Sequence, residues 1–351
     1  MTAYWLLLLI PALCCLYRPN STWVAWECWL IGIILTLFIG LRHEVGGDWY
    51  NYLPYLTNVE GVSLQEVVSL PDPGYNIVNW FFASYPNGIY GVNLVCGAIF
   101  SFGLVLFCRI QPRPWLALCL AIPYLVIVVA IGYSRQGVAI GLIMPGLLAL
   151  ERGRYKTFLS SVLVASTFHF SALITLGLLL PILPGRSISI RFLRLLLVLV
   201  IGVAMAQAFI ASRLEFLIGG YIEAELQSEG ATIRLAMNVV PTALLLVWPN
   251  RFSLANRQLV IWRTMSIAAV FCIVALLMLP SMSTLLDRIA LYLIPLQLVV
   301  LGRLPGAKLF GIPPKYMLPG VLIYSIVVEF IWLNFGKHAE SWLPYKNVLL
   351  Y

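Results

Sequence analysis

Two arginines stand beside long apolar runs, Arg135 in Tyr133-Ser134-Arg135-Gln136-Gly137 and Arg288 in Asp287-Arg288-Ile289-Ala290-Leu291-Tyr292. An arginine stays ionised, and its planar fork grips phosphate through two parallel hydrogen bonds. A third, Arg42, opens Arg42-His43-Glu44-Val45-Gly46-Gly47-Asp48-Trp49-Tyr50-Asn51-Tyr52. Gly46-Gly47 permits positive φ and close backbone approach, so this stretch turns tightly before presenting a carboxylate and a run of aromatics. Asp48 could act as a general base, accept a hydrogen bond from a sugar hydroxyl, or pair internally with Arg42. Trp49, Tyr50, Tyr52 and Tyr55 suit either an interfacial anchor or a flat platform for a sugar ring.

His169 lies within Phe168-His169-Phe170-Ser171-Ala172, the lone ionisable side chain of a long apolar stretch. A histidine so placed is either a satisfied core group or a proton acceptor facing a cavity, and apolar context favours the second. Ser134 is placed to cap the helix that follows it. The free N–H groups of that helix start, with Arg135 and Gln136, suit an anion. Asp72-Pro73 reads as an N-cap followed by proline at the first helical position. Asp287 and Arg288 read as a cap arrangement, with Tyr292 one turn beyond Arg288 and on the same side. Arg213 and Arg234 either snorkel or pair with neighbours such as Glu215, or join the arginines suited to phosphate. The late Trp342-Leu343-Pro344-Tyr345-Lys346 reads as an interfacial aromatic anchor.

The elements that carry these groups follow from composition. Hydrophobic residues make up 61% of the chain and charged residues 10%, against roughly 25% charged in soluble domains. The expected fold is all-α: a polytopic transmembrane bundle of about 12 spans, GT-C-like in arrangement, forming a single integral membrane domain over 1–351. Spans are placed near 4–17, 23–40, 89–108, 115–133, 136–150, 157–169, 170–183, 191–210, 235–249, 258–280, 288–304 and 316–334. The stretch 157–183 is either two short spans meeting at His169 or one broken helix, and 75–86 forms a partial or re-entrant helix. Three outer-face segments are expected to pack on the bundle: 41–75, carrying the sugar-site candidates, the amphipathic 211–234, and the tail 335–351.

Charge sets the orientation. Of 22 Lys and Arg, only Arg42, Arg135, Arg213, Arg234, Arg288, Lys337 and Lys346 fall on the side predicted to be outer. Most acids fall on that side, while Glu27 and Glu329 lie within spans. Enrichment of Lys and Arg in cytoplasmic loops then puts both termini outside. The formal charge of +8 is scattered through short loops rather than gathered into a basic stripe, which excludes nucleic acid as a partner. The seven cysteines form no CxxC pair, so neither a disulfide framework nor a zinc site is expected. No cofactor is implied.

Taken together in order, Arg42 to Tyr52, Pro73 to Tyr75, Arg135 to Ala139, Phe168 to Ala172, Asp287 to Tyr292 and Trp342 to Tyr345 resemble the motifs of the EpsG family. These are bacterial exopolysaccharide proteins related to Wzy-type polymerases. Two positions depart from the pattern: Gly47 replaces the Thr often found before the aspartate, and Asp72 replaces a Glu before Pro-Gly-Tyr. The resemblance implies metal-independent polymerisation of lipid-linked oligosaccharide repeat units on the outer face of the bacterial cytoplasmic (inner) membrane. Such a role belongs to exopolysaccharide, O-antigen or capsule assembly. Undecaprenyl pyrophosphate would leave, the growing glycan and membrane lipid would be partners, and a chain-length regulator or flippase would accompany the enzyme. On that reading His169, Asp48 and Arg135 are catalytic, with Glu329 a further candidate base. Arg42, Arg288, Gln136, Trp49, Tyr52 and Tyr292 bind substrate. A membrane O-acyltransferase using His169 and a lipid-linked oligosaccharide flippase are the alternatives.

Overall fold

Apolar runs without water must satisfy every backbone N–H and C=O within the segment, which makes helix the expected state of nearly all of this chain. The structure, a computed structural model, describes residues 1–183, 187–218, 229–279 and 283–349, with 204–218, 229–231 and Phe310 described as backbone alone. Among the described residues all regular secondary structure is helical, apart from an isolated antiparallel bridge between Arg42 and Asn347.

Two apolar helices, α1 (Thr2–Tyr17) and α2 (Ala25–Gly40), precede three short ones, α3 (Trp49–Val59), α4 (Leu64–Ser69) and α5 (Pro73–Ala83). The expected outer segment 41–75 is therefore a small helical layer, with α5 packed on α3, α4 and α6 (Gly88–Arg109). Next come α7 (Pro114–Ala121), continued by a π-helical stretch Ile122–Ala130, then α8 (Ser134–Glu151) and α9 (Tyr155–Phe168). The chain breaks at His169, where the backbone is extended (φ −155°, ψ 111°), and resumes as a 3-10 helix over Phe170–Leu179. The remaining helices are α10 (Ile188–Ile218), α11 (Glu229–Val247), α12 (Asn256–Met278), α13 (Ser283–Leu293), α14 (Pro295–Arg303) and α15 (Pro314–Phe335). The segment 211–234, expected as a loop, is helical at both ends, and 219–228 lie outside the described residues.

Among the described residues, α6, α12 and α15 are long and apolar enough to cross a membrane. Ser283–Leu293 with Pro295–Gly306 adds a fourth if that pair, bent by 45°, is one span. Helices α1 and α2, the run Pro114–Ala130, Phe170–Leu179 and Thr232–Val247 are apolar but shorter. The all-α expectation holds, with three clear apolar spans and several shorter apolar helices among the described residues in place of a count of about 12. Helix α12 buries Trp262, Met265, Ala269 and Cys272 while exposing Ile267, Phe271, Val274 and Leu277. Both faces are apolar, as lipid requires and water would not tolerate.

Helix α6 sits centrally, packed on α2 and α8. Its crossing with α8 is close because both helices carry glycine there: a Cβ on Gly103 would lie 2.0 Å from the Gly141 carbonyl oxygen, and one on Gly141 2.6 Å from Phe100 Cα. Small residues at a helix crossing allow this approach.

Contacts sort the connections into two ends. At one, Glu151 accepts from Trp262 Nε1 (2.7 Å) and Gln258 Nε2 (3.0 Å), Arg303 donates to Gln111 Oε1 (2.6 Å), and Arg18 pairs with Glu27 (3.1 Å). At the other, the C-terminal segment is buried against the bundle. Trp342 Nε1 donates to the Ile127 carbonyl (2.7 Å), Tyr4 donates to the Trp342 carbonyl (2.8 Å) and Tyr345 donates to the Phe38 carbonyl (2.8 Å). Trp342 is 1% exposed, so the expected interfacial anchor is instead a buried clamp. Its indole donates to a carbonyl of the π-helical stretch, whose wider winding departs from the ordinary α ladder.

Candidate active site

A cavity of about 570 Å³ opens where α3, the start of α8, the break at His169 and α13 meet. Asp48, Asn51, Tyr52 and Tyr55 supply one wall, and Thr284, Asp287, Arg288 and Leu291 the opposite one. Each set follows the i, i+3, i+4, i+7 spacing of one helix face. Tyr133, Arg135, Gln136 and His169 complete the lining.

The turn before α3 is built for this placement. Gly46 has φ 107°, and a Cβ there would lie 2.6 Å from the Ile131 carbonyl oxygen. The loop is thereby pressed against the chain leading into α8, which brings Asp48 to the cavity. Asn51 Nδ2 donates to Asp48 Oδ1 at 3.3 Å.

Arg135 enters from the first turn of α8. It donates to Asp72 Oδ2 at 2.8 Å and lies over the rings of Tyr55 (5.0 Å) and Tyr52 (5.9 Å). The aromatic faces hold the guanidinium flat and orient its fork. Asp72 does not cap α5 through its side chain, as its sequence position suggested. It sits at the N-cap position with φ 53° and turns its carboxylate to Arg135. Burial pushes that carboxyl up from its ordinary range, and Arg135 opposes the shift. Gln136 Nε2 donates to the Arg288 carbonyl at 2.7 Å, which joins α8 to α13 beside the cavity.

His169 reaches the cavity because the helix stops there. Its Nδ1 lies 2.6 Å from Ser171 Oγ, leaving Nε2 as the ring nitrogen available to the cavity, and Ser171 Oγ also donates to the Tyr292 hydroxyl at 3.1 Å. Tyr292 lines a second, apolar cavity of about 160 Å³ with Ile174, Met265, Phe271, Ile289 and Leu293. The two cavities flank α13, one polar and one apolar.

Several expected site residues lie elsewhere. Arg42 is 1% exposed and is not part of the cavity lining. Its guanidinium donates to the carbonyls of Ile39 (2.6 Å) and Val45 (3.1 Å) and to Ser134 Oγ (2.8 Å), because three acceptors at the closure of the glycine turn need a buried cation more than the cavity does. Ser134, spent on Arg42, is the first residue of α8 rather than its side-chain cap. Trp49, 5% exposed, packs against Arg42, His43 and Tyr90 and forms no platform. Tyr292 does not share the polar side with Arg288; its hydroxyl is drawn to Ser171 behind His169. Asp287 caps nothing, since α13 begins at Ser283, and it forms a two-point ion pair with buried Arg234 of α11. Glu329, 0% exposed on α15, is not part of the cavity lining. The side chain of Arg213 lies outside the described residues.

The lining also includes Asn51, Thr284 and Leu291, which carried no sequence signal beyond their helical spacing from Asp48 and Arg288. Among the described residues no group of three or more His, Cys, Asp or Glu could hold a metal ion.

The family model of the EpsG family matches residues 26–347, a range that takes in every segment lining the polar cavity. The chain belongs to the EpsG family. No curated protein and no solved structure matches it. Membership suggests an exopolysaccharide-related polymerase. Four of the segments that carry the EpsG resemblance meet at this cavity: the glycine turn through Asp48 and Tyr52, Arg135-Gln136, the break at His169, and Asp287-Arg288.

Proposed function

We propose that this chain is a glycosyltransferase that polymerises lipid-linked oligosaccharide repeat units on the outer face of the bacterial cytoplasmic membrane, releasing undecaprenyl pyrophosphate. The observation that carries the reading is the meeting of Arg135, Arg288, His169, Asp48 and two tyrosines on one cavity of an EpsG-family chain. A GT-C-like organisation belongs to the same reading.

The acceptor glycan's hydroxyl oxygen attacks the anomeric carbon of the lipid-linked donor. The bond from that carbon to the phosphate oxygen breaks, and its electron pair leaves with the diphosphate. The hydroxyl proton passes to His169 Nε2 or to Asp48. Arg135 and Arg288 bear the charge that accumulates on the leaving diphosphate, the kind of preorganised stabilisation that usually dominates such steps. Tyr52 and Tyr55 face the glycan, and the apolar cavity across α13 suits the first carbons of the lipid. In this mechanism arginines do the work a divalent cation does elsewhere, so the reaction runs in EDTA. A chain-length regulator or a flippase is the expected protein partner.

The test is a product ladder from purified protein in nanodiscs with lipid-pyrophosphate-linked repeat units and EDTA. Wild type should build the ladder and His169→Ala should not. A ladder unchanged by that variant moves the base to Asp48. No ladder with competent substrate returns the acyltransferase and flippase readings.

A further inference from the structure

Ser171 is not part of the polar cavity's lining, yet it is the group through which His169 is held. A serine hydroxyl has one proton. With that proton donated to the Tyr292 oxygen at 3.1 Å, the serine oxygen accepts from His169 Nδ1 at 2.6 Å. Nδ1 must then carry the imidazole hydrogen, and Nε2 presents its lone pair to the cavity. Both Ser171 and Tyr292 are buried, at 4% and 2% exposure, so water does not compete for the hydroxyls. Tyr292 itself stands in the wall of the apolar cavity, where among the described residues its hydroxyl has Ser171 as its hydrogen-bond partner.

We propose that Ser171 and Tyr292 are positioning residues that lock neutral His169 as the Nδ1–H tautomer, so that Nε2 can receive the acceptor hydroxyl's proton. The step rests on the polymerase reading above, in which that proton goes to His169 rather than to Asp48. The tautomer itself does not rest on it. The partner on one ring nitrogen decides which nitrogen is basic, so a change of hydroxyl pattern two side chains away would switch the base off without touching the imidazole. Removing the Tyr292 hydroxyl leaves the Ser171 proton without its acceptor. It then turns to Nδ1, and the hydrogen of the imidazole moves to Nε2.

The chain has three histidines, few enough for direct observation. The experiment is 15N NMR of histidine-labelled full-length protein in nanodiscs at about pH 8, where an ordinary imidazole is neutral. The His169 signals are assigned by their loss in His169→Gln. Wild type should show a protonated Nδ1 and a bare Nε2; Tyr292→Phe should show the reverse. In the ladder assay Tyr292→Phe should lower kcat by roughly 100-fold, the lower end of what a positioned general base contributes, with KM little changed. Ser171→Thr, which keeps the hydroxyl, should retain the wild-type tautomer, whereas Ser171→Ala should not. A protonated Nε2 in wild type, the pattern in which Tyr292 donates to Ser171, overturns the proposal. So does a tautomer that Tyr292→Phe leaves unchanged. If wild type makes no polymer, the polymerase reading fails while the NMR result still decides the tautomer.

Discussion

Asp72 Oδ2 accepts a hydrogen bond from Arg135 at 2.8 Å, so an arginine of the polar cavity's lining is already paired with a carboxylate. On the proposed reading, a diphosphate reaching Arg135 competes with a carboxylate already in place. The Asp72 side chain is 12% and that of Arg135 27% exposed, so water screens the pair only in part.

Asp72→Asn should therefore strengthen binding of lipid pyrophosphate by about 1 kcal/mol, or roughly fivefold. Arg135→Ala should reduce kcat by about 10²–10³-fold, the usual cost of deleting one preorganised donor at developing charge. Arg135→Lys should recover little, since it loses both the fork and the contacts to Tyr52 and Tyr55. Titration calorimetry on the first variant and the ladder assay on the others decide these points. Weaker binding by Asp72→Asn would mean that the carboxylate serves the substrate rather than opposing it.

Arg42 and Arg288 should separate cleanly. Arg42→Met leaves two carbonyls and the Ser134 hydroxyl without their buried donor, at about 1–3 kcal/mol each, and should lower the yield of folded protein and its thermal midpoint. Arg288→Ala should give folded protein with lost turnover. Size-exclusion profiles and thermal unfolding in detergent read the first effect, and ladder formation reads the second.

The Arg234–Asp287 pair predicts a non-additive cycle. Either Arg234→Met or Asp287→Leu alone strands a buried charge and should cost about 3–5 kcal/mol, while the double variant should recover most of the loss. Additive losses in thermal unfolding would show that the two residues do not depend on each other.

Gly46→Ala should be damaging although the change is one methyl group. The positive φ alone costs roughly 1–2 kcal/mol for an L residue, and the added Cβ meets the Ile131 carbonyl oxygen at 2.6 Å. Gly47→Ala, whose Cβ would meet Trp342 at an ordinary 3.4 Å, should be mild. Equal effects in thermal unfolding would refute this division of labour within the pair.

The sequence alone determined the class of this protein. Its apolar composition leaves no soluble surface, and its motifs carry the EpsG pattern in order. It also singled out Asp48, Arg135, Gln136, His169, Arg288 and Tyr52, which the fold brings to one cavity, because polar side chains are conspicuous where apolar ones are the rule. What it could not distribute was hydrogen-bond demand. Arg42 and Arg135 look equivalent along the chain, yet one is consumed by the carbonyls of Ile39 and Val45 while the other lines the cavity. Asp72 and Asp287 both read as caps, and each instead neutralises an arginine from another helix, Arg135 and Arg234. Ser171 acquires a role only when Tyr292, 121 positions away, closes on it. Local spacing determines which residues share a helix face. Which buried donor meets which acceptor is decided by the packing of helices distant in sequence, since an unpaired polar group inside the bundle costs too much to persist.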